Sequence, residues 1–409
     1  MPTDVKYSII LPTKNGLPFL KYACDSVLHD SRADIELLVS VDSEDTVASG
    51  FLSSINDARL RVLNPKNQMS MSEHWDYAQL SARGKWQMFL GQDDMLMVNY
   101  GAAFDAATDL ADASGTGVVV ARRAYITWPP LREKNLKALQ YWATNESLLR
   151  DSKDFVREAL TSDISYHAGP QMYTTTLVAN VVVDEIRAGN EGRLILGHPQ
   201  DAFLAASILK HSPSFLWVGS PFSWVGTSSR SAGLAITSEV DTPETNDLAD
   251  AYARSVNASS NLVYESPIDF KHGVNARYFF DALKIVWPEI LAVKPVSATL
   301  FKLKMDAGLI ASVRIGSRAR VSPRELITSP ELAHLKRLLG LFIRLQRMAI
   351  GLLQKTASNL LRPYLKRRYS FQSVRTVEEI QELFNMSQKI PPTSPLNPYK
   401  LKNPLGTRY

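Results

Sequence analysis

From Tyr7 onward the chain alternates short apolar runs with stretches whose apolar residues recur at helical spacing. Tyr7 to Leu11 is an apolar run closed by Pro12, and Leu17, Leu20, Cys24 and the Val27-Leu28 pair then follow at intervals of three and four. That spacing predicts a helix over 17–28. Ile35 to Val41 predicts a second strand ending at Asp42, and Arg61 to Leu63 a third ending at Asn64-Pro65. Met71 to Leu80 reads as a helix and Trp86 to Leu90 as a fourth strand, with Gly91-Gln92-Asp93-Asp94 as the loop behind it. Strands alternating with helices predict a layered α/β domain with a mainly parallel sheet. The polar residues that end these strands then gather at their carboxyl ends, where open α/β sheets bind ligands.

Further along, Val118 to Val120 is strand-like, and the charged stretch from Trp128 to Ser162 has helical periodicity. Tyr173 to Asn180 reads as strand passing into helix, Gly197 to Leu209 as loop passing into helix, and Phe215 to Val225 as strand. Beyond Ser231 the α/β rhythm stops. Residues 236–330 read as mostly helical, interrupted by Pro243, Pro267, Pro288, Pro295 and Pro323, which places a change of domain near 235. The divisions expected are therefore 1–235, a helical subdomain 236–330, a basic segment 331–370 and a Pro-rich, extended or disordered tail 371–409.

Composition narrows the class. At 409 residues, 45% hydrophobic and 21% charged, the chain is an ordinary globular protein of two or three domains. Its one cysteine, Cys24, forms no intrachain disulfide, and no Cys/His group has zinc-site spacing, so a reducing, cytoplasmic setting is expected. No signal-peptide pattern opens the chain, and no apolar run reaches the length of a membrane span.

The net charge of +5 is unevenly spread. Residues 301–370 carry fifteen Lys/Arg against three Asp/Glu, a net +12, and residues 371–409 carry five against three, leaving −9 for the first 300. Within the basic part, a helix starting near Leu335 puts Leu338, Leu339, Phe342 and Ile343 on one face and Lys336, Arg337, Arg344 and Arg347 on the other. Such a helix either packs on a core or lies on an anionic membrane surface; each basic residue there contributes about 1 kcal/mol. The breadth of the apolar face and the scarcity of interleaved aromatics argue against nucleic acid.

Among candidate chemical groups, Asp93 and Asp94 directly follow an apolar strand. A carboxylate in such a loop either caps the next helix or holds a hard cation, Mg²⁺ or Mn²⁺, against a diphosphate. Asp42 is open to the same two readings, with Asp45 and Thr46 beside it as cap residues. Asp201, after Pro199, reads as a helix cap.

The order of these segments resembles the inverting family-2 glycosyltransferases of GT-A fold. The first strand and loop (Tyr7-Ser8-Ile9-Ile10-Leu11-Pro12-Thr13-Lys14-Asn15-Gly16), the second-strand motif (Val39-Ser40-Val41-Asp42) and the strand leading to Asp93 and Asp94 carry the likeness, which thins towards residue 235. The resemblance implies a GT-A α/β domain, a mixed but mainly parallel sheet flanked by helices, with a helical C-terminal extension. It implies that Pro12, Thr13 and Asn15 line a nucleotide pocket, that Asp42 accepts a hydrogen bond from a uridine-type base, and that Arg83 or Lys85 neutralises the diphosphate. Asp93 falls at the metal-holding position, with Asp94 beside it, and Gly91 stands where the family has its first acidic residue. Gly197-His198-Pro199-Gln200-Asp201 resembles the family's base motif, with Asp201 as base. The late loop, Trp224 to Ser231, has no His where the family often has one, which leaves Thr227, Ser229 or Arg230 as phosphate contacts. His167 and His198 are further candidates for touching sugar or phosphate.

The activity implied is transfer of a sugar, with inversion, from a nucleotide-diphosphate donor to a saccharide or lipid-linked acceptor in surface-polysaccharide synthesis, at the inner face of the cytoplasmic membrane. Two other readings stay open: a nucleotidyltransferase on a similar sheet, and a catalytically silent scaffold that binds membrane or partners.

Overall fold

The computed structural model describes residues 4–17, 19–128, 139–161, 165–228, 231 and 275–292, with 369–370, 384, 385, 387, 389 and 400–402. Its first elements are β1 (Tyr7–Thr13), α1 (Phe19–Leu28), β2 (Ile35–Val41), α2 (Thr46–Ser53), β3 (Leu60–Leu63), α3 (Met71–Gln79), β4 (Trp86–Phe89), β5 (Met95–Leu96) and α4 (Tyr100–Ala113). β1 and β2 are buried along their whole length, as near-continuous apolar strands covered on both faces must be. α3 starts at a capping box in which the Ser70 hydroxyl accepts from the Glu73 amide and the Glu73 carboxylate accepts from the Ser70 amide. Sequence analysis gives no element for α4, whose many alanines and glycine carry only a weak apolar period.

The next elements are β6 (Val118–Ala121), β7 (Ala124–Thr127), β8 (Leu139–Tyr141), β9 (Glu146–Asp151) and α5 (Ser152–Thr161). A one-turn 3-10 helix (Tyr166–Ala168), β10 (Thr176–Ala179), α6 (Asn180–Gly189), α7 (Gln200–His211), β11 (Ser214–Val218) and β12 (Ser223–Thr227) follow. The helical pattern read over 128–162 is corrected at Glu146–Asp151, which is a strand, because its backbone pairs antiparallel with β11 and that pairing outweighs local periodicity. The single strand read over 215–225 is two strands in different sheets.

The large sheet has the order β14 (Lys400–Lys402), β9, β11, β6, β10, β4, β1, β2, β3. β4, β1, β2 and β3 run parallel, and β10 is antiparallel to both β4 and β6. The expected fold class is therefore observed: a mixed, mainly parallel sheet flanked by helices. The strand order reverses at the β1/β4 pair, which opens a crevice past their carboxyl ends. A smaller sheet has the order β13 (Tyr369–Ser370), β8, β7, β12, β5.

Successive residues of β1 face opposite layers: Ile10 packs with α3, α6 and α7, whereas Tyr7, Ile9 and Leu11 pack with α1, α2 and α4. Helix α8 (Asn275–Val286) belongs to the first of these layers, placing Tyr278, Phe279, Ala282, Leu283 and Val286 in the same core as Phe203 and Leu204. The Lys210 ammonium donates to the carbonyl of Val286 at 2.8 Å. A short helix, α9 (Pro288–Ala292), follows. The part of 236–330 that is described thus covers the α/β core instead of standing apart from it. The basic amphipathic pattern near 335–355 lies outside the described residues. No helix among the described residues is long and apolar enough to cross a membrane.

Candidate active site

Three strand ends and two later loops converge on the crevice. At the end of β1 the Thr13 hydroxyl donates to the Gln92 side-chain carbonyl at 2.9 Å, and the Lys14 amide donates to the same oxygen at 3.1 Å. The first and fourth strands are therefore tied across the switch point by the residue that precedes Asp93. The Asp42 amide donates to the Thr13 carbonyl at 3.0 Å, which brings the end of β2 alongside. Asp42 is buried and pairs with the Lys14 ammonium at 3.0 Å. Asp45 caps α2 by accepting from the Ala48 amide at 3.0 Å, and its other oxygen accepts from the Asn15 amide at 2.6 Å. Asn15 itself has φ 53°, a left-handed conformation that Asn tolerates better than most residues. Pro12 lies buried within β1 opposite Ser40, whose hydroxyl meets His74 Nε2 at 2.8 Å. Burial pushes the His74 imidazole below its ordinary value, favouring the neutral ring.

Asp93 and Asp94 lie almost entirely out of solvent. Asp93 accepts from the Ser228 hydroxyl at 2.7 Å and the Ser231 hydroxyl at 2.5 Å through one carboxylate oxygen. Asp94 accepts from the Gly91 amide at 3.0 Å, the Gly226 amide at 2.6 Å and the hydroxyls of Thr174 and Tyr173. Burial pushes both carboxyls up; for Asp94 the added charge of Asp93 and burial together, against these hydrogen bonds, carry it to about 6. Among the described residues every donor to the pair is a neutral amide or hydroxyl, which offsets desolvation less than a cation would. The space at Gly91 is filled: a Cβ there would stand 2.6 Å from Asp94 Oδ2 and against the Tyr173 hydroxyl. The carboxylate of Asp94 thus fills the room that a first acidic residue would need. Among the described residues, no three His, Cys, Asp or Glu side chains cluster closely enough to hold a metal ion. The buried oxygen pair still suits a hard cation, whose charge would offset the cost of its burial, provided that a ligand supplies the remaining oxygens.

A second carboxylate stands in a contrasting setting. Asp201 lies in the first turn of α7, where the helix dipole favours negative charge, and its side chain keeps 24% exposure. It accepts from the Tyr166 hydroxyl at 3.1 Å and faces His167 Nε2 at 3.6 Å. Burial acts to raise it, yet the His167 hydrogen bond and charge, the Tyr166 hydroxyl and the charge of Arg123 outweigh that and hold it below the usual carboxylate range. The Arg123 guanidinium donates to the Gln171 side-chain carbonyl, and the fully buried Gln171 amide nitrogen has no partner among the described residues. The segment from Gln171 to Thr174 therefore runs between the two carboxylate centres. Within it Met172 has φ 52° and the β-branched Thr174 φ 44°, a strained pairing of the kind found at functional sites.

The residues expected at the site divide. Thr13, Asn15, Asp42, Asp93 and Asp94 share the crevice, and Asp201 stands with His167 across the Gln171–Thr174 segment. Arg83 and Lys85 do not join them. Both lie at the amino end of the sheet, where Lys85 bonds back to Val5 and pairs with Asp112, and Arg83 pairs with Glu36. A residue after a Gly turn stands at the start of β4, which pairs with Tyr7 at the start of β1, and the length of β1 puts that end about 20 Å from Thr13. His198 is also removed from any sugar: it is buried beside Ser72, and burial pushes it down to about 4. Ser229 and Arg230 lie outside the described residues, while Thr227 closes β12 with its carbonyl bonded to the Trp128 amide. Tyr166, Gln171, Tyr173, Thr174, Ser228 and Ser231 enter as unforeseen members. Their only sequence signal is a dense run of Tyr, Thr and Ser next to Gly and Pro.

No family model matches the chain, and no curated protein matches it in sequence. Among solved structures the chain is similar to residues 1–349 of S. aureus TarS, at 14% identity and a TM-score of 0.41, over 76% of this chain and 88% of that one. The same protein in complex with UDP-GlcNAc gives 14% identity and 0.42, and in complex with UDP 13% and 0.40, each with the same coverage. At this distance the likeness is one of general architecture, and the functional reading rests on the site itself.

Proposed function

We propose that the chain is a glycosyltransferase that moves a sugar from a nucleotide-diphosphate donor, a uridine nucleotide by preference, to a saccharide or lipid-linked acceptor with inversion. The observation that carries this is the pairing of two unlike carboxylate centres at one sheet crevice, one buried and pushed up, the other held ionised and partly open. In this reading Asp42, with Thr13 and Asn15, places the nucleotide. Asp93, with Asp94 and the donor's own phosphate oxygens, holds Mg²⁺ or Mn²⁺. When bound, that cation neutralises the charge on the departing diphosphate. Asp201 takes the proton of the acceptor hydroxyl as it attacks the anomeric carbon from the face opposite the diphosphate. A low pKa keeps Asp201 in the form that can receive a proton throughout the neutral range. Tyr166 and His167 fix its orientation.

The basic segment 331–370 provides, in the same reading, attachment to an anionic membrane surface close to a lipid-linked acceptor. Sedimentation with anionic liposomes, with and without that segment, tests this part separately.

The test of the activity is hydrolysis and transfer with a panel of nucleotide sugars in Mn²⁺. The expected result is turnover that Asp201→Asn and Asp93→Asn each reduce strongly. Turnover unchanged in both variants overturns the assignment. A wild-type protein that binds UDP and turns over no donor favours the silent scaffold instead.

A further inference from the structure

The diphosphate of the proposed donor calls for a cation from the protein side; of the three basic residues expected from sequence, Arg83 and Lys85 are at the wrong end of the sheet and Arg230 lies outside the described residues. Lys14 is at the right end. Its side chain is 54% exposed, whereas Asp42, its partner at 3.0 Å, is 5% exposed. Among the described residues it is the only cation paired with Asp42.

The backbone around Lys14 is fixed on both sides. Its own amide and the Thr13 hydroxyl are held by Gln92, and the Asn15 amide is held by Asp45. Gly16 packs so closely that a Cβ would come 2.7 Å from Gln92 Oε1. These contacts hold the loop's backbone, and the exposed Lys14 side chain extends from it. Its Cα lies beside the residue preceding Asp93, and the ammonium swings from there on four flexible carbons.

Both Asp42 oxygens are already engaged, one by Lys14 and the other by the Glu44 amide at 3.2 Å. A base N–H that is to be accepted by Asp42 must therefore share an oxygen with the Glu44 amide or with Lys14, or displace the ammonium. Displacement leaves a charged group free next to the loop that carries Asp93.

We propose that Lys14 is an exchangeable cation of the donor site: it neutralises buried Asp42 in the free protein and transfers to the diphosphate when the base of a nucleoside diphosphate takes its place on Asp42. This rests on the donor reading given above. The ion pair keeps the empty pocket from carrying an uncompensated buried carboxylate. The exchange couples base recognition to phosphate recognition, so a nucleoside that lacks phosphates breaks the Lys14–Asp42 pair with nothing to replace it.

The experiment is calorimetric titration of uridine and of UDP into the full chain in Mn²⁺ buffer, for wild type, Lys14→Met, Lys14→Arg and Asp42→Asn. A charge-assisted contact to phosphate corresponds to a loss of about 10- to 100-fold. Lys14→Met is expected to weaken UDP by that factor while leaving uridine unchanged or tighter, and Lys14→Arg to recover part of the UDP affinity. Equal weakening of uridine and UDP overturns the exchange, because Lys14 would then serve only the base pocket. Affinities unchanged in Lys14→Met overturn it too. If wild type binds neither ligand, the donor reading fails and the exchange falls with it. If UDP binding is lost in Asp42→Asn but kept in Lys14→Met, the donor reading stands and the exchange alone is wrong. Thermal melting of each variant confirms that it is folded.

Discussion

The two ends of the large sheet treat buried carboxylates in opposite ways. At the amino end, Glu36 starts β2 almost wholly buried and is met by the Ser8 hydroxyl at 2.6 Å, by Arg61 at 2.7 Å and by Arg83 at 3.0 Å. Burial alone would raise it, yet these partners hold it below its ordinary value. At the carboxyl end, Asp93 and Asp94 have hydroxyls and amides for partners and, among the described residues, no guanidinium. The first arrangement is complete within the protein. The second has no cationic partner among the described residues and stands at the strand ends where open α/β sheets bind ligands, and such a difference marks a candidate chemical carboxylate better than burial does.

The sharpest test of the comparison is Asp201→Asn. Loss of a positioned general base lowers turnover by about 10²- to 10⁴-fold, while the melting temperature stays near that of wild type. At the other end, Glu36→Ala removes the shared acceptor of Ser8, Arg61 and Arg83 and is expected to cost about 1–3 kcal/mol in chemical denaturation, with UDP affinity unaltered. A fall in UDP affinity there would erase the distinction between the ends. Gly91→Asp, which restores the acidic residue that the resemblance leads one to expect, is predicted to lower stability by about 1–3 kcal/mol through crowding against Tyr173 and Asp94, and to give no gain in Mn²⁺-dependent turnover.

The two ends also respond to pH with opposite sign. The folded value of Glu36 is depressed, so its contribution is full above its ordinary 4.5 and is lost as pH falls through the lower folded value. Asp94 is raised from 3.8 to about 6, so the folded state binds the extra proton and the ligand-free protein loses stability as pH rises through that interval. Denaturation midpoints between pH 4 and 7 should flatten in Asp94→Asn and not in Glu36→Gln. The smallest effect is expected at Asp45: removing the cap and the Asn15 tie with Asp45→Ala should cost about 1 kcal/mol in thermal melting.

Much of this was legible before any coordinates. β2 has the bounds read for it, α3 and β4 differ by a single residue at one end, and the gathering of Thr13, Asp42 and Asp93 follows from strand ends alone. What was not legible has a physical cause in each case. The resemblance implied Arg83 or Lys85 at the diphosphate, whereas β4 lies between these residues and the loop that carries Asp93. Tyr173 and Thr174 reach Asp94 only because the backbone at Met172 and Thr174 takes left-handed angles that no local pattern announces. The Ser228 and Ser231 hydroxyls reach Asp93 from the stretch that follows β12 of the smaller sheet, a long-range closure that periodicity does not encode.

The ring of Tyr166, whose hydroxyl holds Asp201, stacks on Phe279 of α8 at 5.4 Å between centroids. A chain cut near residue 235, where the sequence invites a boundary, would keep Asp42, Asp93 and Asp201 and lose the surface against which Tyr166 is set. Such a fragment would carry every acidic group of the proposed reaction and have its base unmoored. Loss of activity after proteolysis between 235 and 275 would then reflect a displaced tyrosine, not a missing reactant.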